Sequence, residues 1–596
     1  MAHQFAVGID LGTTNSVVSY VRLSDEKPDV GLLPIPQLVA PQTTEARTSL
    51  PSFLYCAGPH DAPGSLDVPW SKDRDFSVGE LARRQSADYP ERTVMAAKSW
   101  LGHSKVDRHQ ALLPVGSEES TTGNVTKISP VTASRRYLEH LVSAWKQAFP
   151  DAPISEQLVV LTVPASFDAS ARELTREAAF AAGLPDSLIL LEEPQAAVYA
   201  WLTSQGEKWR KQLKVGETLL VCDVGGGTTD LTIVQVLEEG GELSLQRMAV
   251  GNHLLVGGDN MDLALAFHVA ELFQSKGVQL DPWQSISLWH TCRQAKEVLL
   301  APDGPKTHTI SIKGRGSKLI GGAVSVEVDR AAVAQLLTDG FFPECSLDSL
   351  PQKRRQSGFQ ELGLPYETDT GITRHVTAFL ATHAAGVSTG PTHLLLNGGV
   401  FKAPALAQRL AQVLGSWYPA TPVKPLAGEP DLDHAVARGA AYYGWAKQHG
   451  GVRIRGGTAR SYYVGIETAG LAVPGAPRPL RALCVVPFGM EEGTEVDVPS
   501  DPIGLIVGQP AQFRFFSSSV RKDDRAGSRL TAWSPDDLSE TDSLETMLSA
   551  GDSAEEHYVP VKFHSKITEL GVLELWCVST RSEGKWKLEF SVRDED

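Results

Sequence analysis

The chain has 596 residues, 42% hydrophobic and 21% charged, which predicts several globular domains and excludes a disordered or fibrous class. A formal net charge of −16 argues against general nucleic-acid binding, which relies on cationic surface. The six cysteines (Cys56, Cys222, Cys292, Cys345, Cys484, Cys577) are scattered without a Cys-x-x-Cys, so neither a disulfide framework nor a zinc site is expected, and Cys222 and Cys292 read as packing residues.

In chain order, residues 5–21 alternate as a hairpin. Residues 28–70 are rich in Pro and Thr and read as irregular, apart from a short strand at 52–55. A turn at 76–79 runs into a helix. Residues 132–149 carry Leu138, Leu141, Val142, Trp145 and Phe149 at helical spacing, with Thr132 or Ser134 as N-cap. A buried strand is expected at 157–163, ending at Pro164, and a helix at 170–182 with Gly183 as its C′ residue. Helices follow at 261–274 and 287–300, then strands at 311–320 and 323–328 around a Gly321-Gly322 hairpin turn, and a helix at 330–337. Residues 341–369 yield no assignment. A strand at 393–397 leads into Gly398-Gly399, with helices at 405–414 and 433–447. Residues 453–460 are basic and Gly-containing and read as a linker or hinge. Beyond them come short strands at 462–466, 483–486, 511–516, 559–563, 572–578 and 586–592, several with period-two alternation. Residues 534–556 are acidic and Ser-rich and read as a mobile loop. No run of about 18 apolar residues occurs, and no basic segment followed by an apolar run precedes the first strand. The chain is therefore read as soluble and cytoplasmic, with no membrane partner.

One short phrase occurs twice, Val7-Gly8-Ile9-Asp10-Leu11-Gly12-Thr13-Thr14-Asn15 and Val221-Cys222-Asp223-Val224-Gly225-Gly226-Gly227-Thr228-Thr229-Asp230. Each is an apolar strand, an Asp, a Gly-rich turn with Thr, and a second strand. Glycine lets a backbone approach a phosphate closely. Successive N–H groups in such a turn form an anion-binding concavity. An Asp at the strand end suits Mg²⁺ held through its waters. A single copy is as well explained by a hairpin with a Gly-rich turn. Two copies at matching strand positions point to two lobes gripping one nucleotide.

Both phrases resemble the phosphate motifs of the seventy-kilodalton heat-shock chaperones of the DnaK type. Leu161-Thr162-Val163-Pro164-Ala165-Ser166-Phe167 and Glu192-Glu193-Pro194-Gln195-Ala196-Ala197 resemble the family's two connecting motifs. Gly257-Gly258-Asp259-Asn260-Met261-Asp262, Asn397-Gly398-Gly399 and Asp433-His434-Ala435-Val436-Ala437-Arg438-Gly439-Ala440-Ala441 follow in the same order. The resemblance spans roughly residues 5–450. It implies an α/β actin-like two-lobed ATPase built on ribonuclease H-like repeats (1–450), a linker (451–461) and a C-terminal all-β, substrate-binding-like domain (462–596) without the family's helical lid.

The resemblance also implies roles. Asp10 and Asp223 would orient water on Mg²⁺. Gly12, Thr13, Thr14, Asn15, Gly225, Gly226, Gly227 and Thr228 would hold phosphates. Gly257, Gly258, Lys296, Gly398, Gly399, Val400 and Asp433 would complete the nucleotide site. Lys98, in Met95-Ala96-Ala97-Lys98-Ser99-Trp100-Leu101-Gly102, matches the catalytic lysine; Glu193, Asp230 and Thr228 are its catalytic companions. Glu193 is preferred over Glu192 because it directly precedes Pro194. Pro164 and Arg172 match positions linked to interdomain signalling, and are equally readable as a strand terminator and a surface charge. ATP and Mg²⁺ are the implied ligands, with K⁺ a further candidate ion. The implied partners are unfolded polypeptide or a dedicated client, with J-domain and nucleotide-exchange proteins.

Four departures stand out. Glu297 replaces an arginine that stacks on adenine, Leu300 replaces a serine, and Val400 replaces a hydroxyl residue, so adenosine contacts are expected to weaken while the phosphate grip persists. The acidic, leucine-rich connector has no equivalent between Gly450 and Tyr462, which argues against hydrophobic docking of the linker. Two functions follow: an atypical chaperone ATPase, or a non-hydrolysing ATP-gated scaffold or co-chaperone. A small-molecule kinase on the same fold is disfavoured, because no segment announces an acceptor pocket.

Overall fold

The computed structural model describes residues 3–103, 105–115, 125–239, 242–312, 324–352, 364–383, 390–426, 431–452, 454–467, 480–535, 537–547, 558–568 and 572–590. The first phrase forms the expected hairpin of Phe5–Leu11 and Asn15–Arg22. Leu158–Val163 runs parallel on the other side of Phe5–Leu11, and Ile189–Glu192 lies parallel beside it. The second phrase repeats this plan. Thr218–Val224 and Thr229–Glu239 form a hairpin, and His393–Asn397 runs parallel to Thr218–Val224. Strands with neighbours on both sides and helices on their faces read as continuous apolar runs, as Leu219 to Cys222 does ahead of Asp223. The fold is thus a mixed α/β pair of lobes, each built on one six-stranded sheet with smaller sheets beside it.

Helix Ala435–His449 packs between the first sheet and helix Glu193–Gln205. The small residues noted at 439–441 allow this. A Cβ on Gly439 would run into Ala196 O and lie 2.9 Å from Ala200 N. Ser19 Oγ donates to Ala437 O at 2.5 Å, tying the helix to the first hairpin.

Several expectations are corrected. Residues 28–70 are not irregular: Ile35–Ala40 and Thr43–Arg47 pair antiparallel, while the strand expected at 52–55 is present as Leu54–Cys56. The second of these strands is exposed and polar, so no apolar alternation marks it. Helix Pro130–Ala148 is capped by Ser129, not Thr132 or Ser134, and Thr132 N donates to Ser129 Oγ at 3.0 Å. Pro130 takes the first helical position, where its missing N–H is harmless. Helix Pro282–Leu300 begins earlier than residue 287 because Asp281 and Gln284 form a reciprocal capping box. Thr307–Ile312 pairs with Val324–Asp329, so that first strand starts before residue 311. The Gly321-Gly322 turn lies outside the described residues. Helix Ala169–Ala181 ends with Gly183 at φ +93°, as its sequence predicts.

Among the described residues from Ser461 onward, ten strands form a sheet system of their own. They include the six expected strands and four others, at Glu495–Asp497, Ile503–Ile506, Arg529–Leu530 and Ser539–Met547. Ser539–Met547 overturns the reading of 534–556 as a mobile loop; its acidic, polar sequence is held as a strand by Pro510–Ser518 on one side and Lys585–Phe590 on the other. Residues 548–556 lie outside the described set. Among the described residues of 461–590 every regular element is a strand, and no described helix of the chain is long and apolar enough to cross a membrane.

The linker reading is corrected too. Ile454–Arg455 pairs in parallel with Glu242–Val250 at the edge of the second sheet, and Ile454 is buried against Leu245 and Tyr443. An apolar docking therefore exists without the leucine-rich connector, because Ile454, Val452 and Ala459, together with two backbone pairings, supply it.

Candidate active site

The two hairpins meet at a cleft of about 480 Å³. From the first lobe come Asp10, Gly12, Thr13, Thr14, Asn15, Lys98 and Glu193; from the second come Asp223, Gly225, Gly226, Thr228, Asp230, Gly258, Lys296, Gly398, Gly399 and Val400, with Asp433 beside them. Gly227 and Gly257 do not line it. Gly227 packs against Ser99 and Thr13 of the first lobe, and Gly257 packs behind its own loop, where a Cβ would lie 2.7 Å from both Gly225 O and Gly226 O. The two turns touch across the lobes: a Cβ on Gly226 would collide with Thr14 Oγ1. Gly398 sits at φ +90°, against Val224 O, a conformation that side-chain-bearing residues rarely adopt.

Sheet register explains why the acids converge. Asp10 lies beside Thr162, whose hydroxyl donates to Asp10 Oδ1 at 3.0 Å. Asp223 lies between Asp230 and Asn397, and Asn397 Nδ2 donates to Asp223 Oδ2 at 2.7 Å. Ser166 donates to Asp230 Oδ1 at 2.7 Å. Lys98 sits on the short helix Ala97–Leu101 and pairs with the carboxylate of Glu193, the first residue of its own helix.

Burial pushes the Asp10 carboxyl up to about 6, against the pull of Lys98, and the Asp223 carboxyl up to about 8. Burial also raises Glu193 and Asp230. At Lys98 burial works the other way, but Glu193, Asp10 and Asp230 outweigh it and keep the ammonium charged. Four buried carboxylates thus face one ammonium, an excess of negative charge that a divalent cation would relieve. Among the described residues no three acidic, His or Cys side chains converge closely enough to hold a metal by themselves. This donor set fits Mg²⁺, which keeps several waters and shares phosphate oxygens.

At the other end of the cleft the cations are committed. Lys296 Nζ pairs with Asp262 at 2.6 Å and donates to Gly258 O at 2.9 Å. Arg293 bridges Asp259 at 2.6 Å and Asp262 at 2.8 Å, and Lys402 pairs with Asp433 at 2.5 Å. Glu297 and Leu300 line this end with Arg83. Sequence reading missed Arg83, Arg293, Asp259 and Asp262 as lining residues. The i, i+3 spacing of Asp259 with Asp262, and of Arg293 with Lys296, was the available sign of two facing helix surfaces.

Glu192 and Glu193 point to different tasks. Glu193 lines the cleft, whereas Glu192 accepts from Arg172 at 2.8 Å and pairs with Arg247. Arg247 also donates to Gly456 O at 2.9 Å and to Gly457 O, and so holds the linker. Arg172 is therefore part of a buried network rather than an isolated surface charge.

Residues 60–344 match the family model described as Hsp70 protein. The chaperone protein HscA homolog of Shewanella baltica (strain OS195) is 31% identical over 344 residues, covering 56% of this chain and 48% of that protein. The HscA homolog of Shewanella sp. (strain MR-7) is 32% identical over 308 residues, 50% of this chain and 42% of that protein. The chaperone protein DnaK of Trichormus variabilis is 31% identical over 283 residues, 46% of this chain and 35% of that protein. The chain thus spans about half or less of the length of these curated relatives. The family model and these relatives support Hsp70-family membership, in agreement with the two lobes and their twin Gly-rich turns.

Proposed function

We propose that this chain is an ATP-hydrolysing molecular chaperone in which a nucleotide-binding region (1–450, two ribonuclease H-like repeats) is coupled through residues 451–461 to a β-rich domain (462–596) that holds unfolded polypeptide or a dedicated client. J-domain and nucleotide-exchange proteins are its natural partner classes. The observation that carries this reading is the meeting of Lys98 and Glu193 from one lobe with Asp223, Asp230 and Thr228 from the other in one cleft. The turn N–H groups of 12–14 and 225–228 would cradle the β- and γ-phosphates. Lys98 would stabilise charge on the transferred phosphoryl group. Glu193 and Asp230, raised by burial and able to accept a proton, would orient the attacking water, with Thr228 beside the γ-phosphate. Asp10 and Asp223 would hold the waters of Mg²⁺, which supplies neutralising charge between phosphate oxygens when bound.

The test is single-turnover ATP hydrolysis by the intact chain, with and without an unfolded client, beside Lys98→Ala. Turnover that depends on Lys98 and rises with client is expected. Equal turnover by Lys98→Ala would remove the proposed role. The second reading, an ATP-gated scaffold without turnover, is favoured by the committed cations and by Glu297, Leu300 and Val400 at the far end of the cleft. Tight nucleotide binding without hydrolysis would select it.

A further inference from the structure

We infer that Arg108 is a positioning residue for Lys98, and that its own placement depends on Asp542 of the β-rich domain; the link to catalysis rests on the ATPase reading above. Helix Ala97–Leu101, which carries Lys98, is barely more than one turn. It is entered through Ala96 at φ +53° with no side-chain cap, so little in the helix itself holds it. At its far end the Leu101 carbonyl accepts a hydrogen bond from Arg108 Nη1 at 3.3 Å. The Arg108 side chain is 0% exposed. Its Nη2 donates to Ser170 Oγ at 3.0 Å and pairs with Asp542, 434 residues away.

A guanidinium taken out of water needs a counter-charge. Among the described residues, the two partners Arg108 finds in its own lobe, Leu101 O and Ser170 Oγ, are neutral. The carboxylate comes from the β-rich domain. Asp542 reaches it because of a local irregularity. Strand Ser539–Met547 pairs Thr541 with Phe515 and Leu544 with Phe513, so Asp542 and Ser543 stand opposite the single residue Arg514. Such a bulge bends the strand and re-aims a side chain.

The consequence is mechanical. With the β-rich domain docked, Arg108 is neutralised and braces the last carbonyl of the lysine helix. Without Asp542, the buried charge is uncompensated, its loop gains by moving to water, and the helix loses its brace. Docking of the β-rich domain is thereby felt at Lys98 independently of the linker contacts of Arg247.

The test uses the full chain with Asp542→Asn, Arg108→Met and the double variant. It reads hydrogen exchange over residues 97–101, Mg·ATP affinity and the single-turnover rate constant. Faster exchange over 97–101 is expected in each variant. A rate constant about tenfold lower at nearly unchanged affinity should accompany it, the pattern of an interaction that acts on the transition state. The double variant should be no worse than Arg108→Met, because the two groups act as one unit. If Arg108→Met fails to fold, Asp542→Asn, nearly isosteric and still an acceptor, decides alone. Wild-type exchange over 97–101 in Asp542→Asn overturns the inference, as do additive losses in the double variant. If the wild-type chain itself fails to hydrolyse ATP, the ATPase reading falls, while the exchange measurement still decides whether Asp542 braces the helix through Arg108.

Discussion

Arg247→Met isolates the junction between the lobes and the linker. The Arg247 side chain is 1% exposed and pairs with Glu192, itself 7% exposed. Removing one partner of a buried ion pair costs about 3–5 kcal/mol. Arg172 still faces Glu192 at 2.8 Å, which places the loss near the lower end, about 3 kcal/mol. The same change removes both donors to the Gly456 and Gly457 carbonyls. These are only half-buried and can turn to water, so they add little to global stability but free the linker. Amide exchange at Ile454 and Arg455 should accelerate by at least about tenfold, the equivalent of about 1.4 kcal/mol. The assay is hydrogen exchange on the full chain beside a denaturant midpoint. A midpoint within about 1 kcal/mol of wild type, together with unchanged linker exchange, would refute the network. Its pH dependence has a definite sign. Burial works to raise the Glu192 carboxyl, but Arg247 and Arg172 outweigh it and hold it below its ordinary 4.5. Its contribution is complete above 4.5 and disappears as pH falls through the lowered folded-state value. In Arg247→Met that acid-side loss should shrink, because only Arg172 is left to oppose burial and the folded value moves back up toward 4.5.

Three other outcomes are expected. Gly439→Ala drives a Cβ into the backbone of helix Glu193–Gln205, where no rotamer change relieves it; a loss of about 3 kcal/mol in a thermal melt is predicted, and a wild-type melt would disprove the close contact. Asp223→Asn removes a carboxyl that burial pushes up to about 8, so the nucleotide-free chain should melt higher while its Mg·ATP-dependent gain in melting temperature disappears; a lower nucleotide-free melt would count against the charge-excess argument. His140 and His290, pushed down by burial to about 3, and His253 and His383, pushed down to about 4, are neutral in the folded chain. Their folded values lie below the free 6.5, so stability should be level above 6.5 and fall as pH drops toward 4. A denaturant midpoint that stays flat over that range would contradict their burial.

Sequence by itself determined the parts of this protein whose chemistry is local. The two repeated phrases placed their hairpins because an apolar strand and a Gly-rich turn specify a backbone path within about ten residues. Asp10, Asp223 and Lys98 were legible with them, as was the Gly183 cap. Strands that lack an apolar face were not legible. Thr43–Arg47 and the acidic Ser539–Met547 are strands because neighbours on the sheet satisfy their backbone groups, which no composition records. The different duties of Glu192 and Glu193, adjacent in the chain, were settled only by which one meets Arg247 and which one meets Lys98. The linker docks through backbone pairing and the scattered apolar residues Val452, Ile454 and Ala459, so the missing leucine-rich pattern was a misleading sign. Arg108 and Asp542 are far apart in sequence and carry no shared motif. Only folding brings such charges together, because the need for a counter-charge arises when water is removed and not before.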